Sequence, residues 1–272
     1  AFWCRPPLHG VMHKDRSPEA SALWREAGRG FARLFQSAAA FASWQTPSAS
    51  LALSGIGFPD LNCGVVDAGE TVEEDVLAMA NRLRERALPG LLLLSDAAGA
   101  DARTVAEAAG LVSVGRMPLM AMSARHLDEP STRLTVRRVV NAPDLSAANR
   151  VMAEAFDLPG EAVEQAFPAA ILEVCDVQVF LVLDGEKPVG ALQATLGDGL
   201  TGIWSMSTLP EYRRQGIART GLGHVLNERF AMGCQTALLI ATEAGKPLYD
   251  AFGFRVEEWC DVWLCNPEGP EA

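Results

Sequence analysis

The chain alternates between stretches of helical and of strand periodicity, and each change of period marks an element. Ser17-Pro18 pairs a capping hydroxyl with proline at a first helical position. Leu23, Trp24, Phe31, Leu34, Phe35 and Phe41 follow at helical spacing, with Gly28 and Gly30 expected to interrupt the helix. From Ser50, SLALSGIGF and NCGVVDAG predict short strands around the turn Pro59-Asp60. A helix is predicted from about Thr71 to Ala87, then the strand GLLLLSD, a short helix near Arg103 to Ala109 ending at Gly110, and the strand VSVGRMPLMAMS.

The polar, proline-bearing segment Ala124 to Thr132 separates two apolar blocks and predicts a boundary between domains at 1–126 and 127–272. The second half opens with the strand LTVRRVV. Asn141 and Asp144, in capping-box-like positions, then introduce a helix reaching about Phe156, and a helix-rich stretch continues to Glu173. Three apolar runs joined at Asp184-Gly185 and Asp198-Gly199 predict an antiparallel meander. A glycine-bearing helix over about Gln215 to Met232, the buried strand QTALLIAT, a short helix from Lys246 to Phe252 and the strand VEEWCDVWL, expected to close the sheet, complete an α+β layer. Gly221 and Gly223 inside a helix require close packing to offset their flexibility.

The halves also align with one another. VAEAAGLVSVGRMPLMAM matches PLYDAFGFRVEEWCDVWL through Gly110 and Gly253, and GLLLLSD matches TALLIAT before each. Duplication is the preferred explanation, although helix–Gly–strand punctuation also arises by chance.

Composition narrows the function. With 272 residues, 49% apolar and 21% charged, the chain is globular and long enough for two domains of about 150 residues. A net charge of −11 argues against a nucleic-acid partner, so a bound phosphate needs a local device. Six scattered cysteines, without C-x-x-C or zinc-like spacing, read as reduced, buried thiols. The opening AFWCRPPLHG lacks the unbroken apolar core of a secretory signal, and no apolar run is long enough for a membrane span. A cytoplasmic protein without membrane association is therefore expected. His9 and His13 stand four apart but have no evident third ligand, so no metal site is expected.

The most informative stretch is IWSMSTLPEYRRQGIA, a strand running through Pro210 into a loop and a helix. Arg213, Gly216 and Ala218 give R-x-x-G-x-A: a glycine for close backbone approach, an uncrowded helix start, and free N–H groups aimed at an anion. A pyrophosphate fits there, favoured by about 0.3–2 kcal/mol from the helix dipole. Arg213, Arg214 and Arg219 can add charge. The pattern is neither a dinucleotide fingerprint nor a Walker loop.

This strand–loop–helix, with YDAFGF at Tyr249 to Phe254 in order behind it, resembles the acyl-CoA signature of the GCN5-related N-acetyltransferase (GNAT) superfamily. The resemblance covers about Leu134 to Leu264. It implies two GNAT-like domains, each a mixed, mostly antiparallel sheet flanked by helices, of which the first is a degenerate copy. It also implies acetyl-CoA as acyl donor and an amine as acceptor. Backbone amides of Arg214, Gln215, Gly216, Ile217, Ala218 and Arg219 would hold the pyrophosphate, and Met206, Ser207 and Thr208 would pair with the pantetheine arm. An N–H of Met206 or Ser207 would polarise the acetyl carbonyl.

Tyr249 matches the position that protonates the departing thiolate. Its ordinary pKa near ~10 would suit that transfer, though a tyrosine merely packed beside the site is the alternative. Thr201 to Thr208 contains no Asp, Glu or His, unlike family members with a carboxylate on that strand. Glu243 is therefore the candidate base, or else a capping or solvent-facing charge. In such folds the acceptor is recognised near Asp157 to Glu161, Glu164 and Phe167, where the carboxylates could equally be a solvated face. Trp204 is core or lines the acceptor pocket.

The first half has Ala106 in place of Tyr249, and Asp67, Glu70, Glu73 and Glu74 in place of a phosphate loop. It is expected not to bind CoA, and instead to bury a sheet edge, shape the acceptor cleft or support a dimer, a possible homo-oligomer. The expected activity is direct acetyl transfer to a primary amine in a ternary complex. A silent acyl-CoA sensor and a transferase of bulkier acyl or aminoacyl groups remain open.

Overall fold

The computed structural model describes residues 18–128 and 133–268. Cys4, His9, His13 and the expected cap Ser17 lie outside them. The first half contains α1 (Pro18–Phe35), β1 (Ala42–Gln45), β2 (Ala49–Leu53), β3 (Asn62–Val66), α2 (Val72–Glu85), β4 (Gly90–Ser95), α3 (Gly99–Ala108) and β5 (Val112–Ser123). The second contains β6 (Leu134–Arg138), α4 (Ala142–Phe156), α5 (Gly160–Ala166), β7 (Val177–Asp184), β8 (Lys187–Leu196), β9 (Leu200–Thr208), α6 (Ile217–Ala231), β10 (Thr236–Ile240), α7 (Lys246–Phe252) and β11 (Arg255–Cys265).

These elements form two compact units, each a mixed, mostly antiparallel sheet with flanking helices. The second unit is Arg33–Ala39 with Ala121–Leu239, and the first takes the remainder, including Ile240 onward. In this grouping α7 and β11 fall with the first half. In the first unit the strand order is β1-β2-β3-β4-β11-β5. The last strand, expected to close the sheet of its own half, pairs antiparallel with β4 from Cys260↔Ser95 to Cys265↔Gly90. Burial explains the preference: Trp263 and Cys265 join Leu92, Leu94, Met79 and Leu83 in the core beneath α2. Every residue of β4 is buried, as an apolar run covered on both faces should be.

α2 carries Glu73, Glu74 and Asp75 in its first turn and Arg82 and Arg84 in its last, both favourable to the helix dipole. α1 is continuous, contrary to the interruption expected at Gly28 and Gly30. A Cβ on Gly28 would come within 1.9 Å of the Ser50 hydroxyl, so that glycine serves packing rather than a break.

The second unit orders its strands β10-β9-β8-β7-β6, with the predicted meander of β7, β8 and β9 at its centre. Asn141 caps α4 by accepting from the Asp144 N–H at 2.9 Å. Gly221 in α6 approaches Val182 and Leu192 so closely that a Cβ would lie 2.8 Å from Val182 Cγ2, which is the close packing its position requires. Among the described cysteines, Cys63, Cys234, Cys260 and Cys265 are buried, whereas Cys175 is exposed, contrary to expectation. Burial pushes the Cys63 and Cys260 thiols upward.

Candidate functional site

The end of β9 is irregular in two ways. Gln193 pairs with Trp204 and Ala191 with Ser207, so Ser205 and Met206 together face the single residue Leu192 and form a bulge. Ser205 takes a left-handed φ of 49°. Its hydroxyl donates to Gln193 Oε1 at 2.8 Å, and the Ser207 hydroxyl donates to the Ala191 carbonyl at 2.9 Å. In addition, β10 pairs in parallel with β9 only from Leu200 to Gly202. Beyond Gly202, the edge of Ile203–Thr208 turned away from β8 is not paired by β10.

That edge leads into the predicted loop. Pro210–Tyr212 forms a 3₁₀ turn, Arg214 has φ 61°, and Gly216, with φ 83°, starts α6. A Cβ at Gly216 would meet nothing within 4 Å. The glycine is therefore needed for its backbone angle, which an L side chain adopts only with strain, and not for space. No side chain caps the first turn of α6, and that turn contains no acidic residue. Arg214, Gln215, Gly216 and Arg219 are exposed, Ala218 is half-buried, and Ile217 is buried against Gly190. Arg213 is also exposed, but its Nη2 donates to the Ala155 carbonyl at 3.1 Å. It thus ties the loop to the C-terminal end of α4, where a cation is favoured.

Tyr249 and Glu243 belong to the first unit. Tyr249, in α7, is buried edge-on to Phe254 with ring centroids 5.8 Å apart, and burial alone pushes its phenol up to about 12. Burial thus moves the phenol away from the ordinary value near 10 on which the sequence-based match to a thiol rests. Glu243 is exposed in the turn before α7. Beside it the Thr242 hydroxyl accepts from the Gly245 N–H at 3.1 Å.

The corresponding loop of the first unit is filled by its own side chains. Asp67 is buried and accepts from the Ser95 hydroxyl at 3.1 Å. Asp75 is buried and accepts from the hydroxyls of Thr46, Ser48 and Thr71. Glu70, Glu73 and Asp101 line a shallow cavity between α2 and α3.

In the proposed acceptor segment, Asp157 terminates α4 in a left-handed conformation, and Glu161 and Glu164 are exposed on α5. Phe167 is buried and stacks on Phe35 at 6.0 Å. All three carboxylates are exposed. Trp204 is buried, its indole N–H donating to Thr195 at 2.8 Å. Sequence reasoning missed Gln193 and Ser205; nothing in a strand pattern marks a serine for positive φ, and a glutamine inside the apolar run ALQATL was the available hint.

Residues 148–254 match the acetyltransferase (GNAT) family. No curated protein matches the sequence. Among solved structures, a GCN5-related N-acetyltransferase from Kribbella flavida aligns with TM-score 0.66 at 19% identity, over 92% of this chain and 96% of that one. A GCN5-related N-acetyltransferase from Sphaerobacter thermophilus aligns with TM-score 0.58 at 16% identity, over 83% and 82%. A tandem GNAT protein from the clavulanic acid biosynthesis pathway aligns with TM-score 0.54 at 13% identity, over 87% and 86%. These structures share the fold, and residues 148–254, which match the GNAT acetyltransferase family, span the bulged strand, the loop, α6 and the tyrosine element.

Proposed function

We propose that the protein moves an acetyl group from acetyl-CoA to a primary amine by direct attack in a ternary complex. The observation that carries this reading is the β9 edge left by β10 beyond Gly202, running into an uncapped helix start free of acidic residues. The amides of a pantetheine arm can add to Met206, Ser207 and Thr208 as a strand does. The pyrophosphate can take the N–H groups from Arg214 through Arg219. An N–H at Met206 then meets the acetyl oxygen as negative charge develops on it.

The amine nitrogen attacks the carbonyl carbon, the C–S bond breaks, and the thiolate receives a proton while the new amide nitrogen loses one. By family resemblance Tyr249 supplies the first proton, and Glu243, the candidate base because Thr201 to Thr208 holds no carboxylate, accepts the second. Burial makes the phenol's proton harder to give than at its ordinary value, and a thiolate formed beside it would favour the transfer.

Residues 1–126 are read as a degenerate duplicate that does not bind CoA, and 127–272 as the acyl-CoA-binding domain. In support, β2, β3, α2 and β4 repeat the local order of β8, β9, α6 and β10, an antiparallel pair followed by a helical crossover to a parallel strand. Calorimetric titration with acetyl-CoA tests the whole reading. One site per chain is expected; two would return a phosphate site to the first unit, and no binding would end the acetyltransferase proposal.

A further inference from the structure

Gln193 is fully buried, yet its Nε2 has no hydrogen-bond partner. An apolar residue of the same shape would avoid that cost. The hydrogen bond its side chain makes is at the other end of the amide, where Oε1 accepts from Ser205. Ser205 is in turn unusual. Of the described non-glycine residues with positive φ, which are Ala87, Asp157, Ser205 and Arg214, it is the one inside a strand. The bond spans the bulge, and it is flanked by the Trp204–Thr195 and Ser207–Ala191 bonds to neighbouring positions of β8. The two flanking bonds tie down the regular strand, and the Gln193–Ser205 bond ties down the irregular residue between them.

We infer that Gln193 is a positioning residue for acyl transfer: it holds Ser205 in the left-handed conformation that creates the bulge, and so fixes the direction of the Met206 N–H. The inference rests on the reading that this N–H polarises the acetyl carbonyl. It also explains why a poorly satisfied amide occupies a core position, since the site keeps one oriented bond at the expense of packing.

The test is isotope-edited infrared spectroscopy of acetyl-CoA labelled with carbon-13 at the carbonyl, bound to the full chain, with thermal unfolding and calorimetry alongside. In the wild type the bound carbonyl band is expected below its free position. Gln193→Met should melt at the same temperature or higher and bind acetyl-CoA with unchanged affinity, while its band returns most of the way to the free value. Ser205→Ala, which cuts the same bond from a half-buried position, should do likewise and covers the case in which the core variant does not fold. Adding Ser205→Gly to Gln193→Met should restore the shift, because glycine adopts the left-handed angle without help.

A displaced band that persists unchanged in folded Gln193→Met or Ser205→Ala would overturn the inference while leaving the proposed function standing. A wild-type band that does not move on binding would overturn the carbonyl contact and the inference with it. Failure of acetyl-CoA to bind at all would instead remove the proposed function, and calorimetry distinguishes that result.

Discussion

The segment from β3 into α2 and the segment from β9 into α6 have the same local plan and opposite equipment. β3 remains paired with β4 to its last residue, Val66↔Leu94, whereas β9 loses β10 at Gly202 with Ile203–Thr208 still to run. The first helix turn carries Glu73, Glu74 and Asp75 in α2, and Arg219 with no acid in α6. In the first unit, serine and threonine hydroxyls converge on the buried Asp75, a carboxylate supplied by the chain itself. Topology offers a helix N-terminus in both places. On the proposed reading, strand separation and charge decide whether an outside anion can use it.

The largest expected effect is that of Gly216→Glu. It would set a carboxylate against the proposed pyrophosphate site and force a side chain onto φ 83°, so acetyl-CoA affinity should fall about a thousandfold by calorimetry, with about 1–2 kcal/mol of stability lost. Full retention of affinity would mean that the anion binds elsewhere. Next is Tyr249→Phe, for which kcat should fall about a hundredfold with acetyl-CoA binding preserved. Its pH behaviour has a definite sign. Neutral Tyr249 is favoured by burial, so the wild type should hold its stability below pH 10.0 and lose part of it as pH rises toward about 12. In chemical-denaturation curves the Phe variant should lack that loss, and identical curves would contradict the burial argument.

In the first unit, Asp75→Ala removes the shared acceptor of three hydroxyls and should cost about 1–3 kcal/mol in urea unfolding without altering CoA stoichiometry. The smallest effect is expected of the double substitution Glu70→Lys with Glu73→Lys. These exposed positions should change stability by less than about 0.5 kcal/mol and create no second CoA site, because β3 and β4 stay paired. Appearance of a second site would show that charge alone separates the two segments.

Much of this comparison was already legible in the sequence. The acidic run after Val66 and the R-x-x-G-x-A run after Thr208 are local signals, as are the meander turns and the Asn141 cap. Three features were not. The pairing of β11 with β4 is non-local, and periodicity records which residues are apolar but not which strand they will meet. The Gly28 contact with Ser50 turned an apparent helix break into a packing point. The bulge at Ser205 depends on a side-chain bond across two strands, invisible to any pattern along one of them.

The pairing of β4 with β11 bears on how the protein is made. The first unit begins with the earliest described helix, yet Trp24 reaches its partner Glu258 only across 234 residues of chain. A ribosome releasing the polypeptide from its N-terminus delivers β2, β3 and β4 long before the strand that belongs beside β4. Until then the β4 edge lacks its partner strand, while every residue of the segment Ala121–Leu239 has already been made. The half synthesised first is thus the half completed last, and a chain stopped before Arg255 would leave that edge to whatever strand next encounters it.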